Sequence, residues 1–358
     1  MIPDSKPIWP TPSRPRPVVV VGAGGIVNDA HLPAYRALGL TVLAIVDPDV
    51  SRAEATARRF GVPLAAGSLA EAPTKDVVYD VAVPPGAIEE VLEALPDGSA
   101  ALVQKPFGLD LAAADRLLDV ARRKGLVLAV NFQLRFAPNM QRLSELILTG
   151  ALGRVFECEV RLQCRMPWEL WPFLQGLPRM EIPMHSIHYL DLLRSFFGEP
   201  VAVQGRTLPH PDAPGIASTR TTALLDYGDD LRVCLSINHH HRGGPESEVS
   251  ELRIEGSRGV ALAVMGVNLD YPHGRPDSLR TATDGGPWVA TPLGGSWFPD
   301  AFRGPMANLQ RFLAGEDAAL VSSAADARRT MALVEALYAA DHGRGVPLSS
   351  VSAGRGSS

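Results

Sequence analysis

The chain has 358 residues, more than one hydrophobic core usually serves, so we expect two domains. Its apolar fraction of 46% and charged fraction of 20% are typical of a soluble globular enzyme. The net charge of −5 argues against nucleic acid or an anionic membrane as a partner, because both attract basic proteins. No apolar run approaches the roughly 20 residues that span a bilayer. Three cysteines without a CxxC pair suit a reducing cytosol, so the sequence predicts a cytoplasmic protein.

The first third of the chain alternates short apolar runs with helical periodicity. Strands buried on both faces are predicted at residues 18–21, 42–46, 77–83, 101–104 and 126–132, with a short additional one at 64–66. Amphipathic helices are predicted between them at residues 51–60, 87–95 and 111–125. This alternation predicts an α/β fold, an N-terminal Rossmann doubly wound parallel sheet over residues 18–136. The proline-rich residues 1–17 are expected to form a disordered arm.

After about residue 136 the pattern changes, because strands follow one another with short turns between them. A helix at residues 138–150 precedes strands predicted at residues 154–164, 201–207, 221–227, 231–238, 250–256 and 260–266. Further helices are predicted at residues 183–197, about 304–314 and 323–341. The pattern predicts a C-terminal α+β domain over residues 137–348 with a mostly antiparallel open sheet, for substrate binding and oligomerisation. Residues 349–358 are expected to be a disordered tail.

A glycine-rich turn lies where the first strand meets the first helix. Gly22 allows the tight turn, and Gly24 lets the backbone approach a pyrophosphate at the helix N-terminus, with Gly25 and Ile26 completing the turn. Asp47 ends the second strand, where a carboxylate can accept the ribose hydroxyls of a dinucleotide. A carboxylate beside a 2′-phosphate is a like-charge clash, so NAD is favoured over NADP. The alternative is a structural turn and a turn-forming aspartate.

The segment ALVQKPFG (101–108) places a lysine at the carboxyl end of a buried strand. Lysine is among the residues least often buried, and ligands of open α/β sheets lie beyond the carboxyl ends of the strands. We therefore expect Lys105 to point into the crevice where a nicotinamide would lie. Pro106 fixes the backbone for a sharp exit from the sheet. The alternative is that Lys105 is a solvated residue at a strand end.

The segment RMEIPMHSIHYLDLLRSFFGEP (179–200) is predicted to be a helix that begins near Pro183. His185, His188 and Asp191 are spaced three apart and can share one face of this helix. Both histidines fall in its first two turns, where the helix dipole disfavours a protonated imidazole. A neutral imidazole is what a general base requires at pH 7. The alternative is a core histidine whose N–H is satisfied locally.

An ordered set of motifs resembles the Gfo/Idh/MocA family (glucose–fructose oxidoreductase, inositol dehydrogenase, rhizopine catabolism). The motifs are GAGGI, HLPA, DPD, PP, QKPFG, NFQLRFAP, HSIHYLDLL and SSAADARRTMALVEALYAADHGRGVPL, and they run from residue 18 to about 348. The resemblance implies that Lys105, at the lysine of a Glu-Lys-Pro motif, is catalytic. It implies that His188, at the histidine of an Asp-x-x-x-His-x-x-Asp segment, is the acid/base, and that Asp191 is the aspartate that follows it and a candidate substrate-binding residue. It also implies that Pro84, in the PP turn, and Lys105 contact the cofactor.

The sequence departs from the family pattern at three positions. The glutamate before the lysine is Gln104, so a charge partner often found there is absent. The aspartate upstream of the histidine is Met184, which removes one expected contact to a substrate hydroxyl, with His185 as its candidate replacement. The histidine often found after the PP turn is Ile88. None of these changes removes the lysine and histidine pair.

Several other residues are weaker candidates. The run NHHHR (238–242) contains three histidines whose side chains should alternate in direction, with His239 and His241 able to face a substrate. No spacing resembles a zinc motif, so we expect no metal. Trp168, like Trp171 and Trp297, is either an apolar wall for a sugar or part of the core. Arg135, near Asn131, either binds substrate or has a structural role at the domain hinge.

Taken together, the sequence predicts an NAD-dependent oxidoreductase that acts on a hydroxyl of a sugar, sugar derivative or cyclic polyol. His188 would take the hydroxyl proton, and Lys105 would stabilise the charge that develops on the oxygen. One alternative is NADPH-dependent reduction of a keto-sugar in a biosynthetic pathway. Another is a non-catalytic, nucleotide-responsive partner protein. An antiparallel sheet with one exposed face commonly finds a partner, so a homodimer or homotetramer through the C-terminal sheet is expected.

Overall fold

The first sheet of the protein is parallel. The structure is a computed structural model that describes residues 9–343. The six strands are β1 (Val18–Val21), β2 (Val42–Val46), β3 (Leu64–Ala66), β4 (Val78–Val81), β5 (Ala100–Val103) and β6 (Val127–Val130). They lie in the order β3-β2-β1-β4-β5-β6, so the chain reverses direction across the sheet between β1 and β4. This is the doubly wound order that places a ligand crevice at the switch point, and the predicted α/β class is confirmed.

Helices cover both faces of this sheet, which is why most of its strand residues are buried. They are α1 (Leu32–Ala37), α2 (Val50–Phe60), α3 (Ile88–Ala94) and α4 (Leu111–Lys124). Side chains start two of them, because Asp49 accepts a hydrogen bond from Arg52 N and Asp110 accepts one from Ala113 N. The same helices end at Gly61 and Gly125, both with left-handed backbone. All four residues of β5, which precedes Lys105, are buried.

The second sheet has eight strands and is mixed. They are β7 (Val155–Gln163), β8 (Ala202–Leu208), β9 (Arg220–Asp226), β10 (Arg232–Asn238), β11 (Val249–Gly256), β12 (Gly259–Val264), β13 (Ser278–Thr283) and β14 (Val289–Ala290). The order is β14-β13-β12-β11-β7-β10-β9-β8. Its neighbours are antiparallel except for the central pair β7 and β10, so the predicted mostly antiparallel sheet is confirmed. The strands β13 and β14 were not predicted, because β13 is largely polar and β14 is only two residues long.

One face of the second sheet is buried and the other is open. Along β9 and β10 the residues alternate between buried and exposed or partly exposed positions. The helices that accompany this sheet are α5 (Pro138–Leu148), α6 (Ile187–Phe197) and α8 (Ala324–Gly343). Alternation of this kind is the mark of a sheet with one solvated face. Among residues 9–343, no helix combines the length and apolar character that a bilayer crossing requires.

The last part of the chain returns to the first sheet. Helix α7 (Arg303–Leu313) lies in the sequence region assigned to the second domain, yet its Met306 and Leu309 are buried in the same apolar cluster as β1. After α7, Ser322 exchanges backbone and side-chain hydrogen bonds with Val130 of β6, over 2.6–2.7 Å. This pairing covers the edge of the sheet, which would otherwise leave backbone groups unpaired.

The described part of the N-terminal arm is packed rather than disordered. The Trp9 side chain is 7% exposed, and its indole N–H donates to the Phe136 carbonyl at 2.9 Å. Arg16 and the Gln310 side chain exchange two hydrogen bonds of 2.9 Å. The expectation of disorder is therefore wrong for residues 9–17, because a buried tryptophan anchors them. Residues 1–8 and the predicted tail 349–358 lie outside the described residues.

Candidate active site

The glycine-rich turn is shaped by close packing at one glycine and open space at another. Gly22 has φ +103°, and a Cβ there would lie 2.3 Å from the Ala82 carbonyl oxygen, so glycine is required. A Cβ at Gly24 would meet nothing within 4 Å, which leaves room for a phosphate group beside the backbone. Gly25 is exposed and Ile26 partly buried in the same turn. A π-helical turn (Val27–His31) then leads into α1. These features fit a dinucleotide cradle.

Asp47 ties this turn to the end of β2. Its two carboxylate oxygens accept hydrogen bonds from Ala23 N at 2.8 Å and from Asp49 N at 2.9 Å. Each carboxylate oxygen has two lone pairs, so capacity remains for ribose hydroxyls. The Arg52 guanidinium lies 3.9 Å from Asp47 and its side chain is 55% exposed. Pro84 follows β4 and precedes a short 3-10 turn that starts α3, at the same carboxyl edge of the sheet.

Lys105 leaves the carboxyl end of β5 as the sequence predicts. Its ammonium donates a hydrogen bond to the Met184 carbonyl at 2.8 Å, which joins the first sheet to the segment before α6. The Gln104 side chain accepts a hydrogen bond from the Lys105 backbone N–H at 3.0 Å. The Lys105–Pro106 peptide bond is cis. Burial lowers the pKa of Lys105 to about 8, because the charged form loses its hydration.

His188 lies in the first turn of α6 and is 7% exposed. Its ring stands edge-on to Trp297, with centroids 5.8 Å apart. Its buried Nδ1 has no hydrogen-bond partner among the residues that the structure describes. Burial, and secondly the charge of Lys105, holds the pKa of His188 well below its usual range. The imidazole is therefore neutral at pH 7 and able to accept a proton.

His185 lies one turn earlier, in a π-helical turn (Ile182–Ser186) that leads into α6. Its ring is 4.4 Å from the ring of His239, centroid to centroid, and Trp168 packs edge-on at 5.9 Å. The pKa of His185 is lowered well below its usual value, first by burial and then by His239 and Lys105. The structure thus brings His185, His188 and Lys105 to one place. Short π-helical turns often occur at functional sites.

Glu181 is a buried member of this cluster that the sequence analysis missed. Its side chain is 0% exposed and accepts hydrogen bonds from the hydroxyls of Ser186, at 2.7 Å, and Thr221. His239 Nε2 lies 3.2 Å from its Oε1. The signal in the sequence was the four-residue spacing from Glu181 to His185, which places them on one side of a helical turn.

Asp191 and Arg135 contact each other. The Arg135 guanidinium donates to both oxygens of Asp191 over 2.5–2.6 Å and to Asp326 at 2.6 Å. Thr330 donates to Asp191 at 2.8 Å. Burial raises the pKa of Asp191, although Arg135 opposes the shift. These bonds tie α6 to α8 and occupy the polar atoms of Arg135 and Asp191. The contacts therefore favour the structural role of Arg135 over substrate binding.

Asn131 has a similar structural setting. It is buried at the end of β6, and its amide lies 3.2 Å from His31 Nε2. His31 Nδ1 lies 2.7 Å from Asp80 on β4. An amide donating to Nε2 leaves the proton on Nδ1, which then donates to the carboxylate. The three side chains therefore form one hydrogen-bonded chain inside the first domain.

The histidine run separates as the sequence predicts, since His239 joins the cluster of His185 while His240 turns to His210, 4.5 Å away between ring centroids. His210, Asp212 and His240 bring possible ligand atoms within 4.8 Å of one another. However, His240 Nδ1 accepts from the Trp168 indole at 2.9 Å, and His210 Nδ1 accepts from Asp212 N at 3.1 Å. These bonds place the hydrogen on each Nε2, which leaves no lone pair for a metal ion. The geometry favours a hydrogen-bond network.

Two of the three tryptophans line the cluster. Trp168 and Trp297 are nearly buried, at 8% and 7% exposed, and each stands edge-on to one site histidine. Trp171 packs against Tyr271 instead, with ring centroids 5.4 Å apart. Trp297 belongs to a loop that Trp9 supports, because a Cβ on Gly295 would lie 3.1 Å from the Trp9 ring. The N-terminal arm therefore braces the loop that carries one wall of the site.

Comparisons with known proteins identify relatives of both sequence regions. The family model described as an oxidoreductase family with an NAD-binding Rossmann fold matches residues 16–132, and the GFO/IDH/MocA C-terminal domain matches residues 140–262. D-apiose dehydrogenase from Paraburkholderia graminis is 28% identical over 347 residues, 92% of this chain and 89% of the relative. D-glucoside 3-dehydrogenase from Escherichia coli is 30% identical over 200 residues, 52% of this chain and 56% of the relative.

A solved structure shares the whole fold. The WlbA dehydrogenase from Bordetella pertussis, solved in complex with NADH and UDP-GlcNAcA, superposes with a TM-score of 0.74 at 18% identity. The match covers 95% of this chain and 100% of that one. At this identity the likeness shows the two-domain architecture.

The ion pair between Arg135 and Asp191 generates a stability prediction. Arg135→Met leaves Asp191 buried without its partner, so the free energy of unfolding should fall by about 3–5 kcal/mol. The matched control is Arg329→Met, because the Arg329 side chain is 58% exposed and also pairs with Asp326. In the control, the free energy of unfolding should fall by less than about 1 kcal/mol. Urea unfolding of the three proteins measures both values, and equal losses would contradict the structural role of Arg135.

Proposed function

The chain belongs to the GFO/IDH/MocA family of oxidoreductases, and we propose that it is an NAD-dependent dehydrogenase acting on a hydroxyl of a sugar, sugar derivative or cyclic polyol. The observation that carries the proposal is the meeting of Lys105 and His188 at the carboxyl edge of the Rossmann sheet. Lys105 bonds to the carbonyl of Met184, four residues before His188, and its charge contributes to the low pKa of that histidine. A hydrogen-bond donor and a neutral base thus lie in the same part of the structure.

The proposed roles follow from these two side chains. NAD, when bound, supplies the acceptor for the hydride that leaves the carbinol carbon. His188 accepts the proton of the hydroxyl as the C–H bond breaks. Lys105 donates a hydrogen bond to the same oxygen and stabilises the negative charge that develops there. The Gly22–Gly24 turn and Asp47 hold the cofactor, with Pro84 at the same edge.

The substrate class rests on the cluster around His185. A neutral His185, with Trp168 at its edge, offers polar and apolar contacts of the kind that bind polyhydroxylated rings. The relatives named D-apiose dehydrogenase and D-glucoside 3-dehydrogenase support a sugar-like substrate. The alternative of a non-catalytic partner protein is disfavoured, because such a protein has no need of both Lys105 and His188.

A second candidate function is the reverse reaction with NADPH, the reduction of a keto-sugar. One observation favours it, namely the exposed Arg52 guanidinium 3.9 Å from Asp47, where a 2′-phosphate could bind. Asp47 opposes it, since its carboxylate would repel that phosphate. Arg52 also lies 3.4 Å from Asp49, so its charge is shared between two carboxylates. The balance favours NAD.

We further propose a cytoplasmic homodimer or homotetramer that associates through the open face of the second sheet. Outward residues of β9 and β10 include the exposed Leu224 beside charged Arg232 and Asp226. Mixed apolar and charged side chains on one flat surface suit an isologous contact between two copies. No nucleic-acid or membrane partner is proposed.

Cofactor choice is testable through Asp47. The parent protein should bind NADH at least tenfold more tightly than NADPH, about 1.4 kcal/mol. Asp47→Ser removes the repelling carboxylate, so the ratio of the two dissociation constants should fall toward one. Titration of cofactor fluorescence measures both constants. Equal affinities in the parent would exclude Asp47 as the ribose ligand.

The identity of the base is tested by comparing two histidines. His188→Ala should lower kcat for oxidation by about 10²–10⁴-fold, the usual contribution of a general base, while the affinity for NAD stays nearly unchanged. His185→Ala should act mainly on KM, because His185 is proposed to contact substrate. If His185→Ala damages kcat more than His188→Ala, the base has been assigned to the wrong histidine.

Deprotonation of Lys105 should limit the rate of the reaction at alkaline pH. Its pKa of about 8 means that the ammonium is charged below pH 8, where it donates more strongly. The kcat for oxidation should therefore decline as the pH rises through about 8. Lys105→Met should lower kcat by roughly 10²–10³-fold, the scale for loss of one donor to a developing oxyanion, and should abolish that decline. An unchanged pH profile in this variant would refute the donor role, and NADH binding serves as the control for folding.

A further inference from the structure

Around the proposed reaction centre, more hydrogen-bond donors than hydrogen-bond acceptors lack a partner among the described residues. The Lys105 ammonium has three N–H bonds, and one is used by the Met184 carbonyl at 2.8 Å. The Trp297 indole, a group that can only donate, is buried, and its Nε1 has no partner within residues 9–343. His185 and His188 each have a buried Nδ1 that is likewise unpartnered in the described chain. A bound ligand can satisfy these groups.

The two acidic side chains of the neighbouring helix are already engaged. Glu181 is occupied by Ser186 and Thr221 and faces His239. Asp191 is occupied by Arg135 and Thr330. The residue beside the lysine is the neutral Gln104, whose side-chain oxygen accepts from the Lys105 backbone. In the part of the chain that the structure describes, no carboxylate therefore pairs with the Lys105 ammonium.

The type of ligand that fits follows from hydrogen-bond chemistry. Each hydroxyl of a neutral polyol brings a donor together with its acceptor oxygen, so several hydroxyls need several protein acceptors. An ionised carboxylate brings two oxygens that only accept. It also supplies the opposite charge that the partly buried Lys105 ammonium lacks. The cluster is therefore matched to an anion better than to a neutral sugar.

We propose that the substrate is a sugar acid, a polyhydroxylated molecule with a carboxylate near the reacting hydroxyl. The three N–H bonds of Lys105 then serve the Met184 carbonyl, the reacting oxygen and the carboxylate. Trp297 Nε1 and His185 are the further groups able to contact that carboxylate. This inference rests on the proposed dehydrogenase function, which it narrows to an anionic substrate class.

The first test is equilibrium binding to the complex of the protein with NADH, followed by NADH fluorescence. The probes are D-glucuronate and D-gluconate, with D-glucose and D-glucitol as their neutral counterparts. At least one acid should bind about tenfold more tightly than its neutral counterpart, about 1.4 kcal/mol. Equal or weaker binding of both acids would overturn the inference.

Turnover separates the inference from the function on which it rests. Reduction of NAD is measured with the same four compounds. Preferential binding of an acid without turnover of any compound would leave the carboxylate site standing and count against the dehydrogenase proposal for these substrates. Turnover of the neutral sugars with equal or better kcat/KM would keep the dehydrogenase proposal and overturn the sugar-acid inference.

A near-isosteric variant tests the charge directly. In Gln104→Glu the side-chain oxygen can still accept from the Lys105 backbone, as in the parent. The added carboxylate pairs with the ammonium and repels an anionic substrate, so the sugar acid should bind about tenfold or more weakly. Binding of the neutral counterpart should change little. Gln104→Met is the matched control without charge and should retain the preference. Equal weakening of acid and neutral ligands in Gln104→Glu would contradict the proposal.

Discussion

The hydrogen bond from the Lys105 ammonium to the Met184 carbonyl is the contact on which the arrangement of the site depends. It joins the carboxyl end of β5 in the parallel sheet to the segment that starts α6 in the second domain. A lysine that left the sheet without this acceptor would hold its charge in a partly buried cleft with one less partner. The bond holds the carboxyl edge of the first sheet next to the segment that precedes the helix of His188.

The second domain uses its buried charges to hold that helix in position. Arg135 links α6 to α8 through Asp191 and Asp326, and Glu181 anchors the turn before α6 through Ser186. Each carboxylate is satisfied by its own partners, as buried charges must be. The consequence is electrostatic as well as structural. The acids stabilise the scaffold, and the groups proposed to face a ligand are an ammonium, an indole N–H and neutral imidazoles.

Local irregularities of the backbone lie at both parts of the site. A π-helical turn follows the glycine-rich turn, and another precedes α6. The second one contains His185 and directly precedes the turn with His188. It therefore changes the relative direction of two side chains that a regular helix would place on one face. The packed arm adds a further constraint, since Trp9 supports the loop of Trp297 and Trp297 borders His188. Segments that are far apart in the sequence thus border the same proposed site.

The sequence by itself determined the features that depend on local periodicity and local chemistry. Strand and helix alternation predicted the Rossmann sheet, and the position of Lys105 after a buried strand predicted its place at the carboxyl edge. The tertiary structure decided what depends on partners far away along the chain. Asp191 shares a helix with His188, but its pairing with Arg135 and Asp326 could not be read from spacing. Glu181 entered the site because folding brings Thr221 of β9 and His239, which directly follows β10, close to it. Trp9 became ordered because the Phe136 carbonyl, 127 residues away, accepts its indole N–H. Periodicity fixes which face of an element is buried, whereas the partner of a buried polar group is chosen only when the elements pack together.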